Sequence, residues 1–451
     1  MPLSRRRFLG SAATAGGLLL ARPFQAFAAG RSCRATAGYG PLAPIPDQTT
    51  GRELLSLPAG FRYWSLGLAG SPMSDGRLTP RAHDGMAAYR RGREIRLVRN
   101  HEVTGRGAAF GPAERAYDPE APGGTTTLVF DPNDPQHSRA FASLSGTSTN
   151  CAGGPTPWGS WLTCEEVFSE TTTAGRIFRH GYVFEVPSRA NEAVVAVPLR
   201  GLGRFVHEAV AVDPRTGIVY ETEDEGAAGL FRFVPRRPAD LTAGRLQMLA
   251  IAGKPRYDTR TAQSVGQPLE VEWVDIAQPD PGANEATCYQ QGAAAGGAQF
   301  RRLEGTSWSP HDRAVYFTST NGGDARTGQV WAYRPRARGG TLTLVYESPA
   351  PEALLKPDNI TISPSGGVLL CEDTDRERPT HLRGLSADGV LYTFADNISP
   401  GVLPGTSIPA TLDEFAGACF SPDGRWLFVN LQATGVTLAI TGPWERGPLG
   451  C

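Results

Sequence analysis

The sequence predicts an all-β protein, a six-bladed β-propeller with one long insertion between blades. Three observations carry that expectation: a composition rich in turn formers, a repeated hairpin of near-constant period, and the turn chemistry inside each repeat. The 451 residues include 54 glycines and 37 prolines, so roughly a fifth of the chain is punctuation rather than helix interior. Coiled coils, helical bundles and collagen are excluded on that ground. The chain is 40% hydrophobic and 20% charged with a net charge of −1. It can bury a core, and it offers no basic field for nucleic acid or an anionic membrane.

The elements follow in chain order. Residues 1–28 read as a targeting leader: Ser4-Arg5-Arg6-Arg7-Phe8-Leu9 is a twin-arginine pattern, Gly10 to Ala21 is mildly apolar, and Ala26-Phe27-Ala28 is a small-x-small cleavage site. The expected partner is therefore the twin-arginine export machinery, with a periplasmic or secreted product. Nothing else approaches 18 consecutive apolar residues, so no integral membrane segment is expected in the mature chain. Residues 29–60 read as an N-terminal arm, and 61–451 as the propeller, with an insertion at about 236–300 that reads as a flap.

Five segments share one plan, in which a polar residue, an apolar run, a Pro-containing turn and a second apolar run lead to further polar or acidic residues. They begin at Cys151, Glu208, Glu304, Asp358 and Glu414, and an incomplete sixth copy ends at Asn100-His101-Glu102. Asp213-Pro-Arg-Thr-Gly217, Ser363-Pro-Ser-Gly366 and Ser421-Pro-Asp-Gly424 stand between β-branched and aromatic runs, as hairpin connections do. Only the interval from 208 to 304 is long, and the surplus lies in the insertion. A β-sandwich is the alternative, but the constant period argues for blades, which leave only short, protected edges.

The spacing carries chemistry as well. Cys151 to Glu166, Glu208 to Glu223 and Asp358 to Asp373 are each 15 residues apart. An antiparallel hairpin returns such positions to the same end of a blade. Thiol and acidic groups of several blades then converge at one end of the channel. Clustered carboxylates raise one another's pKa unless cations neutralise them, so a polynuclear metal site is expected. Glu165 and Glu166 are adjacent, so only one can face the channel, and the spacing favours Glu166. His101 and His207 precede carboxylates and turn away, as packing residues or supports behind the ligands. Cys164 and Cys371 read as core. The seven cysteines form no CxxC pair, which leaves free thiol, metal ligand and intermolecular bridge open.

Cys151-Ala-Gly-Gly-Pro-Thr-Pro-Trp-Gly-Ser-Trp-Leu-Thr-Cys-Glu-Glu166 resembles the signature of the PhoX-type alkaline phosphatases. His83-Asp-Gly-Met86, Val98-Arg-Asn-His-Glu102, Arg204-Phe-Val-His-Glu208, Thr222-Glu-Asp224, Arg302-Leu-Glu-Gly305 and Pro357-Asp-Asn359 follow the same family in order over roughly residues 60 to 430. The resemblance implies a propeller with a di-iron centre and several calcium ions that hydrolyses phosphate monoesters outside the cytoplasm. Carried over by position, Cys151 is the thiolate ligand to iron, with Glu166, Glu208 and Glu304 as carboxylate companions. A soft thiolate suits iron, and hard oxygens suit calcium. Glu223, Asp224, Asp358, Glu372, Asp373, Asn100 and Glu102 are the calcium candidates. Arg302 stands two residues before Glu304, on the same face of a strand, and would hold a phosphoryl oxygen.

Many members of that family are longer than this chain. The third repeat ends in Ser319-Thr320-Asn321 and the last in Asn430, so neither supplies a terminal carboxylate. The expected reaction is metal-assisted hydrolysis with a metal-bound oxygen as nucleophile. The chain has no GxSxG and no P-loop to support an acyl-enzyme or an NTPase. Two other readings compete: a calcium-dependent propeller lactonase or arylesterase, which needs no thiolate, and a non-catalytic exported binding propeller.

Overall fold

The computed structural model describes residues 38–170, 178–373, 379–399 and 413–450. The twin-arginine leader, Cys33 and Cys451 lie outside the described residues. The chain forms six antiparallel blades around a central channel. The strands that begin them are His83–Arg91, Asn150–Pro155, His207–Val212, Leu303–Ser309, Pro357–Ile362 and Phe415–Phe420. These inner strands pack neighbour to neighbour, and the last meets the first. Among the described residues no helix is long and apolar enough to cross a membrane.

The ring is closed by the N-terminal region. Arg62–Leu66 pairs with Val436–Thr441 and completes the sixth blade. The hairpin Leu42–Pro46 and Glu53–Pro58 extends the fifth through Leu391–Asn397. Residues read from sequence as an arm are thus partly propeller strands. The insertion is likewise packed rather than free: Pro268–Asp275 pairs with Asp240–Ile251 of the third blade and Gly340–Glu347 of the fourth, fusing both into one nine-stranded sheet. Beyond it, Cys288–Ala294 forms a helical turn capped by Thr287.

Inner strands lie between two neighbours, so they read as continuous buried runs rather than alternating ones; His207–Val212 is buried throughout. The hydrophobic core is accordingly divided into wedges between successive blades. Leu162, Val210 and Phe233 pack between the second and third, and Trp331, Phe317 and Leu249 between the third and fourth. Leu97, Phe130 and Phe428 seal the first against the sixth. The Gly153-Gly154 pair of the Cys151 motif belongs to this packing. A Cβ on Gly154 would lie 1.8 Å from the Val210 carbonyl oxygen, so the second and third inner strands can approach only without a side chain there.

Every inner strand carries a β-bulge near its start. In the first five blades the pairs His83↔His101, Asn150↔Glu165, His207↔Glu223, Leu303↔Ser319 and Pro357↔Glu372 are each followed by two inner-strand residues facing one on the second strand. The sixth has its bulge one pair later, after Ala416↔Asn430. Such a bulge re-aims a side chain without ending the sheet. The first bulged residue is Asp84, Cys151, Glu208, Glu304, Asp358 or Gly417. A backbone hydrogen bond closes each hairpin just outside the bulge: Glu102 N to Ala82 O, Glu166 N to Thr149 O, Asp224 N to Val206 O, Thr320 N to Arg302 O, Asp373 N to Lys356 O and Gln432 N to Glu414 O.

The bulged carbonyls are in turn gripped by the preceding blade. Asn100 Nδ2 donates to Cys151 O at 3.0 Å and Ala152 O at 2.7 Å. Thr222 Oγ1 donates to Glu304 O at 2.6 Å, Thr318 Oγ1 to Asp358 O at 2.7 Å, and Asn430 Nδ2 to Asp84 O at 2.6 Å. Trp161 Nε1 completes the Asn100 network by donating to its Oδ1. Replacing Asn100 with Leu strands two buried carbonyls and an indole N–H, and each orphaned group costs a desolvation penalty. Unfolding of Asn100→Leu should show a loss of about 3 kcal/mol; a loss below about 0.5 kcal/mol would mean the latch carries no weight.

Candidate metal centre

The bulges aim their side chains into one end of the channel. Cys151, Glu166 and Glu208 offer ligand atoms within 4.8 Å of one another, as do Glu208, Glu304 and Asp358. Glu166, Asp224 and Glu304 form a third such set, and Asp84, Glu102 and Cys151 a fourth. The sets share members, so the residues expected to hold iron, Cys151, Glu166, Glu208 and Glu304, occupy one continuous cluster. Cys151 Sγ lies 3.8 Å from Asp84 Oδ2. All the described cysteines are free and buried.

Burial and mutual repulsion set the electrostatics. Burial first, then Glu102 and Asp358, push the Asp84 carboxyl well above its usual value. Glu208 is raised by burial and by Glu304 and Glu166, and Glu304 by burial and by Asp224. Glu166 and the Cys151 thiol move the same way, again chiefly through burial. Asp358 is pushed up to about 8 and Glu102 to about 7. Asp84 Oδ1 and both carboxylate oxygens of Glu208 are buried without a hydrogen-bond partner. Glu166 and Asp224 share a side-chain hydrogen bond, as do Asp373 and Glu414. Orphaned oxygens, paired acids and one thiol fit cations and fit little else.

Arg302 is the guanidinium inside this cluster, although not for the expected reason. It precedes the strand Leu303–Ser309 and has a left-handed backbone, φ 44°, so strand alternation does not aim it. Its Nε and Nη2 nevertheless hold Asp224 bidentately at 2.8 and 2.9 Å, and Nη2 also reaches Glu304 at 2.8 Å. The side chain is 34% exposed where Asp224 is 9% exposed, so it stands at the open edge of the cluster. Ala82, Thr149 and Lys356 begin other blades with the same left-handed backbone. Strain of this kind at non-glycine residues gathers at functional sites.

Three expected calcium ligands face elsewhere. Asn100 is the latch described above, with both amide hydrogens and its oxygen engaged. Glu372 accepts from His381, Arg383 and Leu355 N, and despite burial these partners hold its carboxyl below its ordinary value. Glu223 accepts from Gly229 N and, through burial, rises to about 8. The uniform 15-residue interval caused this last error. The Asp213–Gly217 turn closes on Gly217 N to Asp213 O, one residue longer than Ser421–Gly424. In the third blade the channel position is therefore Asp224, while Glu223 faces away. Asp224, Asp358, Asp373 and Glu102 do reach the cluster.

Two acids and an amide were missed. Asp84 lies 18 residues before Glu102 because the first hairpin is longer, so the spacing test did not find it; His83-Asp84-Gly85 was the available signal. Glu414 was read only as the start of a repeat, yet it is buried against Asp373, Asp358 and Asp84. Gln432 donates to Asp84 Oδ2 at 2.8 Å and Glu102 Oε2 at 2.7 Å, joining two acids that otherwise repel. Glu165 turns from the channel and accepts from His180, Ser148 N, Gly181 N and Tyr182 N. His101 and His207 are buried hydrogen-bonded supports, and burial drives His207 down to about 3.

A carboxyl raised by folding binds its proton more tightly in the folded state. Its contribution is intact below the unfolded carboxylate pKa and is lost as pH rises through the folded value. For Asp358 and Glu102 that window ends near pH 8 and 7. Chelator-treated protein should therefore melt at least about 5 °C lower at pH 8.5 than at pH 5.5. Restoring cations should abolish that slope, and a flat profile without metal would contradict the assignment.

A family model and one solved structure agree with this architecture. The family model described as alkaline phosphatase PhoX matches residues 37–136 and 133–435. Among solved structures, Pseudomonas fluorescens PhoX in complex with vanadate, a transition state analogue, superposes with a TM-score of 0.64 at 18% identity, covering 91% of this chain and 99% of that one. A Xanthomonas campestris gluconolactonase superposes more loosely, with a TM-score of 0.42 at 14% identity over 91% of this chain and 100% of that one. A sequence comparison with curated proteins finds no match. With a family match spanning nearly the whole propeller, the chain belongs to the alkaline phosphatase PhoX family.

Proposed function

We propose that the protein is an exported phosphomonoesterase working at an iron and calcium cluster at the end of the propeller channel. One observation carries the reading: bulges on separate blades deliver a thiol and several acids to one buried spot, with a partly exposed guanidinium at its rim. Cys151, Glu166, Glu208 and Glu304 would hold iron, because a thiolate is the soft donor of the set. Asp84, Glu102, Asp224, Asp358, Asp373 and Glu414 supply the hard oxygens that suit calcium. Cations bound there would neutralise phosphoryl oxygens and lower the pKa of coordinated water.

The remaining work belongs to the chain itself. Asp224 fixes the plane of the Arg302 guanidinium through two hydrogen bonds, and that contact above all raises its pKa, so it stays charged. A fixed, charged fork at the cluster edge can orient a phosphate monoester through one oxygen and stabilise charge developing on it. Gln432 and the six hairpin-closing hydrogen bonds hold the acids in place before substrate arrives. The twin-arginine leader supports export of a folded, metal-loaded protein to the periplasm or beyond.

Purified, metal-replete protein should cleave p-nitrophenyl phosphate and contain both iron and calcium. Cys151→Ala and Glu304→Ala should each lose at least about 100-fold in kcat while retaining the folded circular dichroism spectrum. Arg302→Ala should lower kcat/KM by about 100-fold, with Arg302→Lys recovering little because the bidentate contact is gone. Calcium without iron would favour a lactonase, and protein inert toward phosphate esters at every pH would end the reading.

A further inference from the structure

The other end of the propeller holds a cleft of about 740 Å³ at the seam where the first and last blades close. It is built from hairpin turns, including Gly92 and Arg93 of the first blade and Asp423 to Arg425 of the sixth, and from the start of the closing strand at Arg62. The channel acids sit at the opposite ends of these same strands. The nine-residue strand His83–Arg91 separates the two ends by about 25 Å. The cleft is therefore independent of the metal centre.

Its charge is distinctive. Arg62, Arg90, Arg93 and Arg425 line it against two carboxylates, Asp423 and Glu445, a local surplus of two positive charges on a chain whose net charge is −1. Arg90 is ion-paired with Asp423. The guanidiniums of Arg93 and Arg425 make no hydrogen bond and no ion pair within 4.0 Å among the described residues, and that of Arg62 lies over the Trp64 ring at 5.4 Å. Asp423 faces both Arg90 and Arg425, so four guanidiniums share two carboxylates around one concavity and positive charge is left over. An oxyanion of charge −2 balances that surplus, and guanidinium forks match phosphate geometry. The volume is that of a small-ligand site rather than of a lone ion.

We propose that this cleft is a second, non-catalytic site for a phosphate group, free or carried on a body of sugar size. Phosphate titrated calorimetrically into the metal-replete enzyme at fixed chloride should bind at one more site in the wild type than in the triple variant R62A/R93A/R425A. The three positions are exposed, so the variant should fold, and its kcat/KM on p-nitrophenyl phosphate should stay within about twofold. Asp423→Asn, which removes the competing carboxylate, should tighten the same site several-fold. Equal stoichiometry in wild type and triple variant, or weaker binding in Asp423→Asn, would overturn the proposal. A non-hydrolysable sugar phosphonate separates the two sources: tighter binding than inorganic phosphate assigns the site to a phosphorylated body, and weaker binding assigns it to free phosphate.

Discussion

The structure depends on a bulge placed near the start of each inner strand. A regular strand would alternate its side chains between the two neighbouring blades, and none would point down the channel. Inserting one residue turns Asp84, Cys151, Glu208, Glu304 and Asp358 out of that alternation and toward the axis. Buried acids brought this close repel one another, so the backbone must be held from outside. The hairpin-closing hydrogen bonds, and the donors Asn100, Thr222, Thr318 and Asn430 reaching across from preceding blades, do that. The order is scaffold first, charge second.

The same scaffold explains the spread of non-ligand roles. Residues one step out of register with the channel acids are partnered internally: Glu165 with His180, Glu372 with His381 and Arg383, and His101 with Thr126. Their partners satisfy them, whereas Asp84 and Glu208 retain orphaned oxygens. Burial alone does not distinguish the two kinds of acid, because Glu165 and Glu208 are equally buried.

Much of the fold was legible because hairpin turns announce themselves. Ser-Pro-Ser-Gly and Ser-Pro-Asp-Gly close as four-residue hydrogen-bonded turns at Gly366 and Gly424, and their regular recurrence gave the blade count. The thiol and its three carboxylate companions were legible for the same reason, since each occupies one position of a repeat. Asn100 was misread because an amide beside a ligand motif looks like a ligand, although its bonds run to the next blade.

What the sequence by itself determined was the repeat, its turns and the convergence of Cys151, Glu166, Glu208 and Glu304 at one end of the channel. Local chemistry decides these, since proline and glycine place a turn wherever they stand. Tertiary structure alone decided that Asp224 rather than Glu223 faces the axis. It also showed that Glu414 and Gln432 join the cluster and that the insertion fuses two blades. Those outcomes depend on bulge register and on contacts between segments hundreds of residues apart, and a difference of one residue in a turn reverses the face.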